Sequence, residues 1–303
     1  MSRVAAIDCG TNSIRLLIAD IADGKLREVY RNMQIVRLGQ GVDQNKAFHP
    51  DAIDRTLKAV ADFSTEIARR GVSKIRFCAT SATRDAANRD LFIDGVNSLL
   101  GIKPEVISGE EEAALSFFGA TKELHQSGAP YLVIDIGGGS TEFVFGTEKV
   151  DFAKSQNIGC VRMSERHFSS LPPAANEIAN AQRDIDEAIS EAAKLVPITE
   201  AQTLIAVAGT ATTVAAAALG LNEYDRYSIH LSRVTAEKTH EVAQRFLHMN
   251  RQEIAALPYM HEGRVDVIAA GSLVLSRIME LSGAKEFVAS ESDILDGMAW
   301  SLA

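Results

Sequence analysis

Two stretches of this chain place the same polar residues between apolar runs. VAAIDCGTNSIRLLIADI carries Asp8, Gly10 and Ser13, and LVIDIGGGSTEFVFG carries Asp135, Gly137 and Ser140 in the same spacing. Each reads as an apolar strand, a short glycine-containing turn with hydroxyls, and a second apolar strand, which is a hairpin pattern. Three consecutive glycines, Gly137, Gly138 and Gly139, exceed what a plain turn needs. Lacking Cβ atoms, they let backbone N–H groups approach an anion, as in a concave nest of successive amides. The repeat implies two related halves, each with an aspartate and a phosphate loop. A carboxylate ending a buried strand needs a partner. Asp8 and Asp135 therefore read as holders of a hydrated divalent cation such as Mg²⁺, with turn capping as the alternative.

Three further clusters carry chemistry. Ser108-Gly109-Glu110-Glu111-Glu112 opens a helix, with Ser108 and Glu111 in capping-box spacing and Glu110 on a solvated face. Glu112 has no such local role, which leaves general base or ordinary helix-start carboxylate as its two readings. Arg84, preceded by Thr80, Ser81 and Thr83 in a strand-to-helix turn, suits a phosphate clamp and equally a surface turn. Gly209-Thr210-Ala211-Thr212-Thr213 is a third strand-to-helix junction, fit for phosphate, ribose or close packing. Seven histidines show no zinc-ligand spacing, and neither a Walker loop nor a Gly-x-Ser-x-Gly elbow occurs.

The elements that must position these residues follow from periodicity. Strands at 4–21 continue into a third at 25–36. A helix opens at Pro50 and closes at Gly71, and Lys74 to Ala79 is a buried strand. A helix then runs to about Leu100, and the strand Lys103 to Ile107 precedes the glutamate helix, which runs to about Gln126. Gly128-Ala129-Pro130 breaks the chain, placing a domain boundary at 122–130. The second half repeats this order: hairpin and third strand at 131–158, then helices at 175–196, after Gly209, at 235–248 and at 264–282. A last strand spans 287–289, and Ser292-Asp293 caps a terminal helix. The domains expected are 1–125 and 126–303, with the terminal helix at about 292–303 able to pack back on the first. Meander followed by alternating helices and strands gives α/β domains with mixed sheets and flanking helices.

Composition sets the bounds. A net charge of −9 without a block of like charges argues against a nucleic-acid or anionic-membrane surface. Apolar residues at 46% and charged residues at 23% suit a globular protein, and no membrane span or signal segment is expected. Cys9, Cys78 and Cys160 form no Cys-x-x-Cys and sit in apolar runs, as buried thiols in the cytoplasm would.

DCGTNSIRLLI, SATRDA, SGEEEA, IDIGGGSTEFV and AGTATT, in this order, resemble the exopolyphosphatase and guanosine pentaphosphate phosphatase family. That family lies within the actin, sugar-kinase and heat-shock-chaperone superfamily. The resemblance spans essentially the whole chain. It implies two ribonuclease-H-like domains of the actin-like ATPase type with an active site in the interdomain cleft. It also implies Mg²⁺-dependent (or Mn²⁺-dependent) release of terminal phosphate from inorganic polyphosphate, with a link to the stringent response. Glu112 matches the catalytic base and Arg84 the phosphate-binding arginine. Thr11, Asn12 and Ser13 match one phosphate loop, and Gly137 to Gly139 with Ser140 and Thr141 the other. Glu142 is the acidic residue closing the second loop and joins Asp8 and Asp135 as a metal-associated carboxylate. Gly209 and Thr210 are further phosphate-binding candidates, and a homodimer is expected. Longer members carry a C-terminal histidine–aspartate-type helical domain that is not seen before Ala303, from which a preference for short polyphosphates is expected. The family's Val-His-Gly segment is Ile229-His230-Leu231 here. Hydrolysis of guanosine pentaphosphate is the alternative activity, and an ATP-binding sugar kinase or actin-like protein is a further one.

Overall fold

The computed structural model describes residues 2–122, 124 and 126–303, which form two compact units. The first is Met1–Gly119 with Ile294–Ala303, and the second is Ala120–Asp293. The expected boundary at 122–130 falls partly on residues outside those described. The expected helix end near Gln126 is corrected: the glutamate helix spans Gly109–Thr121, and Gln126–Gly128 is a separate 3-10 turn.

The first unit is built on β1 (Ser2–Cys9), β2 (Ser13–Ala22), β3 (Lys25–Ile35), β4 (Lys74–Ala79) and β5 (Glu105–Val106), in the order β3-β2-β1-β4-β5. The three-strand meander is antiparallel, while β4 lies parallel to β1 and β5 parallel to β4. Strand alternation sorts the core onto two faces. Ala5, Ile7 and Cys9 pack with Val60 and Phe63 of the helix Pro50–Arg69. Pro50 occupies that helix's first turn, and the His49 Nδ1 accepts from the Asp51 N–H at 3.2 Å. Val4, Ala6 and Leu17 pack on the opposite face with Leu115 and with Ile294, Leu295 and Met298 of the helix Ile294–Trp300. The chain after Asp293 thus belongs to the first unit, because its apolar stripe covers a sheet face that would otherwise meet water.

The second unit holds β6 (Tyr131–Ile136), β7 (Thr141–Gly146), β8 (Val150–Gln156), β9 (Thr203–Val207), β10 (Arg233–Thr235) and β11 (Glu286–Ala289), in the order β10-β11-β9-β6-β7-β8. Here β6, β7 and β8 form the antiparallel meander, β9 lies parallel to β6, and β11 parallel to β9. Strand for strand this is the first sheet again, with β10 added at one edge. Leu132, Ile134 and Phe143 pack with Ile185 and Ile189 of the helix Ala175–Ala193. Among the described residues no helix is long and apolar enough to cross a membrane.

Candidate active site

In the first unit the β1–β2 turn closes through Gly10 N–H donating to the Ser13 carbonyl at 3.0 Å. The next two carbonyls are captured by the segment after β3. Thr11 O accepts from Gly39 N at 2.9 Å, and Asn12 O from Val36 N at 3.0 Å and Arg37 N at 2.8 Å. In a planar trans peptide the N–H points opposite the C=O, so the Asn12 and Ser13 amides face away from that segment. A Cβ at Gly39 would lie 2.2 Å from Thr11 Cγ2 and 3.0 Å from Ala82 Cβ, so these loops touch at a bare backbone. Thr11 Oγ1 and Thr83 Oγ1 are buried without a hydrogen-bond partner among the described residues. Buried hydroxyls in that condition want a ligand or water.

Asp8 opposes Arg15 across the β1–β2 ladder, and its Oδ2 accepts from Arg15 Nη2 at 2.6 Å and Nε at 3.0 Å. The turn after β4 and the helix after β5 are side by side because those strands are parallel neighbours: Thr80 N donates to Cys9 O and Ile107 N to Ala79 O, both at 3.2 Å. Arg84, on the short helix Ser81–Asp85, therefore reaches Glu112. Its Nη1 donates to Glu112 Oε2 at 2.7 Å and to Ile107 O at 3.0 Å. The turn after β1, Arg84 and Glu112 all follow the carboxyl ends of parallel strands, where open α/β sheets bind ligands. Of the three glutamates only Glu112 is buried, at 8% exposure. Ser108 Oγ accepts from Glu111 N at 3.2 Å, but the Glu111 carboxylate goes to Arg76 at 2.6 Å.

The second unit repeats the turn. Gly137 N–H donates to the Ser140 carbonyl at 3.0 Å, the same bond in the same place as in the first unit. The helix Cys160–His167 meets this loop with its first turn. Cys160 N donates to Gly137 O at 2.9 Å, Val161 N to Gly138 O at 2.9 Å, and Arg162 N to Gly138 O at 3.1 Å. Arg162 Nε donates to Gly139 O at 2.6 Å. With three successive carbonyls turned to this helix, the Gly138, Gly139 and Ser140 amides point the other way, as a row of donors. None of Gly137 to Gly139 has a positive φ, so carbonyl capture makes the cradle here, in place of the left-handed nest. Thr141 Oγ1 donates to Ile158 O at 2.9 Å and fixes the loop's exit.

Asp135 opposes Glu142 across β6–β7, at the position where Asp8 opposes Arg15. Both carboxylates are buried, and Glu142 Oε1 accepts from Ser155 Oγ at 2.7 Å. Like charges directly opposite repel, and a cation between or beside them relieves that. Mg²⁺, which takes one or two carboxylates and keeps several waters, fits this pair. Asp8, already engaged by a guanidinium, is the weaker ligand of the three. Among the described residues no group of three or more His, Cys, Asp and Glu side chains is arranged to hold a metal.

The Gly209–Thr213 junction follows β9, at the carboxyl end next to Asp135. Arg264 fills the space above it. A Cβ at Gly209 would lie 2.7 Å from the guanidinium, whose Nη1 donates to Thr213 Oγ1 at 2.8 Å beneath the Tyr224 ring. The close-packing reading thus has a definite partner there, and Thr210 is buried. The thiols of Cys9, Cys78 and Cys160 are free and buried, and burial pushes that of Cys78 up to about 12. Arg15, Gly39, Gly159, Arg162 and Arg264 escaped the sequence reading. The repeated hairpin alignment carried a signal only for Arg15, which sits where Glu142 sits in the second copy.

Comparison with known proteins agrees with this architecture. The Ppx/GppA phosphatase family model matches residues 17–302. Exopolyphosphatase 2 of Mycobacterium tuberculosis is 46% identical over 316 residues, covering 100% of this chain and 99% of that protein. The crystal structure of an exopolyphosphatase-like protein superposes with a TM-score of 0.96 at 43% identity, covering 100% of this chain and 98% of that one. The guanosine-5'-triphosphate,3'-diphosphate pyrophosphatase of Vibrio atlanticus is 30% identical over 309 residues, covering 98% of this chain and 59% of that protein. On sequence and fold together, the chain belongs to the Ppx/GppA phosphatase family.

Proposed function

We propose that this protein is an exopolyphosphatase that hydrolyses the terminal phosphoanhydride of inorganic polyphosphate and releases orthophosphate. The observation carrying this reading is the buried Glu112 carboxylate held 2.7 Å from Arg84, beside two buried hydroxyls in want of a partner. An ionised carboxylate next to a guanidinium suits a water nucleophile attacking an anionic group. The carboxylate takes the water's proton and the guanidinium draws in phosphoryl oxygens. Thr11, Thr83 and the Asn12 and Ser13 amides supply donors to equatorial oxygens, and the Gly138, Gly139 and Ser140 amides offer the second unit's anion cradle. Asp135 and Glu142 would hold Mg²⁺, which supplies charge neutralisation when bound. The leaving group is a phosphate oxygen that departs as an anion, so no strong general acid is required.

Phosphate release from polyphosphate of defined length, with and without Mg²⁺, tests the reading. Glu112→Gln should lower kcat by about 10²-fold or more with little change in KM. Near-wild-type turnover would remove Glu112 from the role. A net charge of −9 works against a long polyanion track and extends the reading to a preference for short chains, which a gel showing processive loss of long chains without intermediates would overturn. Guanosine pentaphosphate is the second candidate substrate, favoured by the 30% identity to the Vibrio relative. It presents the same terminal anhydride, and a side-by-side release assay separates the two. Arg264 packed on Gly209 counts against a nucleotide pocket at that junction. Three buried free thiols support a reducing, cytoplasmic setting.

A further inference from the structure

The two phosphate loops hold their third carbonyl by different means. In the first unit Asn12 O accepts two main-chain N–H groups, from Val36 and Arg37. In the second unit the equivalent carbonyl, Gly139 O, accepts the Arg162 Nε at 2.6 Å. Arg162 is 6% exposed and lies in the first turn of its helix, where a cation opposes the helix dipole. Burying a guanidinium at such a place requires hydrogen-bond partners, and its contact with the loop carbonyl is one whose return can be named. What it returns is the orientation of one peptide: with Gly139 O drawn to Arg162, the Ser140 N–H must point out of the cradle's opposite side. A charged donor on the carbonyl also polarises that peptide, which makes its N–H a stronger donor to an anion.

We infer that Arg162 is the positioning residue of the second phosphate loop, setting the Gly139–Ser140 peptide and its field for a bound phosphate. This rests on the reading that the loop binds phosphate groups. Glycine at the carbonyl's own residue leaves no side chain to brace the peptide, and the Cys160 and Val161 amides are spent on Gly137 and Gly138. Arg162 is thus the side-chain part of an otherwise main-chain clamp.

The test compares wild type with Arg162→Met, Arg162→Gln and Arg162→Lys in the full chain. Pyrophosphate binding is read by calorimetry, polyphosphate hydrolysis as kcat and KM, and folding by circular dichroism. Arg162→Met should weaken pyrophosphate binding and raise KM together by about 10-fold or more, with kcat within about threefold. Arg162→Lys, which keeps a charged donor, should recover most of the loss, and Arg162→Gln, a neutral donor, less. Should the Met variant not fold, the order Lys above Gln in both readouts still decides. Unchanged binding and KM in folded Arg162→Met, or equal behaviour of Lys and Gln, overturns the inference. Wild type that binds pyrophosphate but releases nothing from polyphosphate overturns the proposed activity alone, and the binding series still tests Arg162.

Discussion

In the first unit a turn with side chains, Gly-Thr-Asn-Ser, is held by main-chain N–H groups from Val36, Arg37 and Gly39, while in the second a turn with almost none, Gly-Gly-Gly-Ser, is held by a helix start and an arginine. Both turns close with the same 3.0 Å bond and aim their later amides away from the support. The charges differ in sign as well: Asp8 faces Arg15, whereas Asp135 faces Glu142. The first hairpin is internally neutral and lies beside Arg84 and Glu112, while the second is anionic and suits a cation. The repeated hairpin keeps its geometry and differs in its charges; under the proposed activity the first copy would serve the reaction and the second charge management.

The sharpest break in this comparison is expected at Gly159. A Cβ there would lie 2.4 Å from Gly138 C and O and 2.5 Å from Gly139 N, all main chain. Nothing at that contact can rotate aside, so Gly159→Ala must displace the glycine loop or the helix Cys160–His167. Overpacking of this kind costs about 1–3 kcal/mol. Phosphate release should fall by about two orders of magnitude as the amide row is tilted. Wild-type KM and unfolding midpoint in Gly159→Ala would show that the loop is not held as described.

Gly39 is the matching position in the first unit, and its outcome should differ in kind. The closest atom to a Cβ there is Thr11 Cγ2 at 2.2 Å, a methyl at a side-chain tip. Gly39→Ala should therefore cost stability and raise KM, yet Thr11→Ser removes the offending methyl and keeps the hydroxyl. The double variant should regain more than half of the lost stability, with the remainder due to Ala82 Cβ at 3.0 Å and the retained Cβ of residue 11 at 3.1 Å. Four unfolding curves close this cycle, and simple additivity would deny the contact. No equivalent rescue exists for Gly159→Ala, because its neighbours are glycine backbone.

The hairpins were legible in the sequence because their chemistry is local: strand, turn and strand follow directly on one another, in Ser2–Ala22 and in Tyr131–Gly146, and the repeat fixes which polar residues correspond. Glu112 was separable from Glu110 and Glu111 by its lack of a local task, but its contact with Arg84 depends on β5, a strand of two residues pairing with β4. No spacing rule reports such a pairing. The helix Cys160–His167 was invisible for another reason. It is short, has no side-chain cap, and its buried Arg162 looks in sequence like a surface charge. Arg264 reaches Gly209 from a distant segment, a tertiary fact with no local trace. The sequence-derived second domain ran to 303 with its last helix able to pack back on the first; only the tertiary partner of the apolar stripe of Ile294–Trp300, the first sheet, decides which unit that helix joins.

The smallest effect concerns left-handed residues that hold main-chain bonds in each unit. Arg37, at φ 49°, donates its N–H to Asn12 O, and Leu231, at φ 61°, donates its N–H to Ala289 O at 2.7 Å. Leu231 stands where the resemblance would put glycine. Its side chain is 43% exposed, so shortening it sacrifices little apolar burial. A Cβ in the left-handed region costs about 1–2 kcal/mol, and glycine gives back about 0.5–1 kcal/mol through its freer unfolded chain. Leu231→Gly keeps the donated N–H, so the balance should be a gain of up to about 1 kcal/mol. In a chain of 303 residues that is a rise of up to about 1.5 °C in unfolding midpoint. A fall on thermal unfolding would mean that the Leu231 side chain, and not its amide, secures the segment to β11.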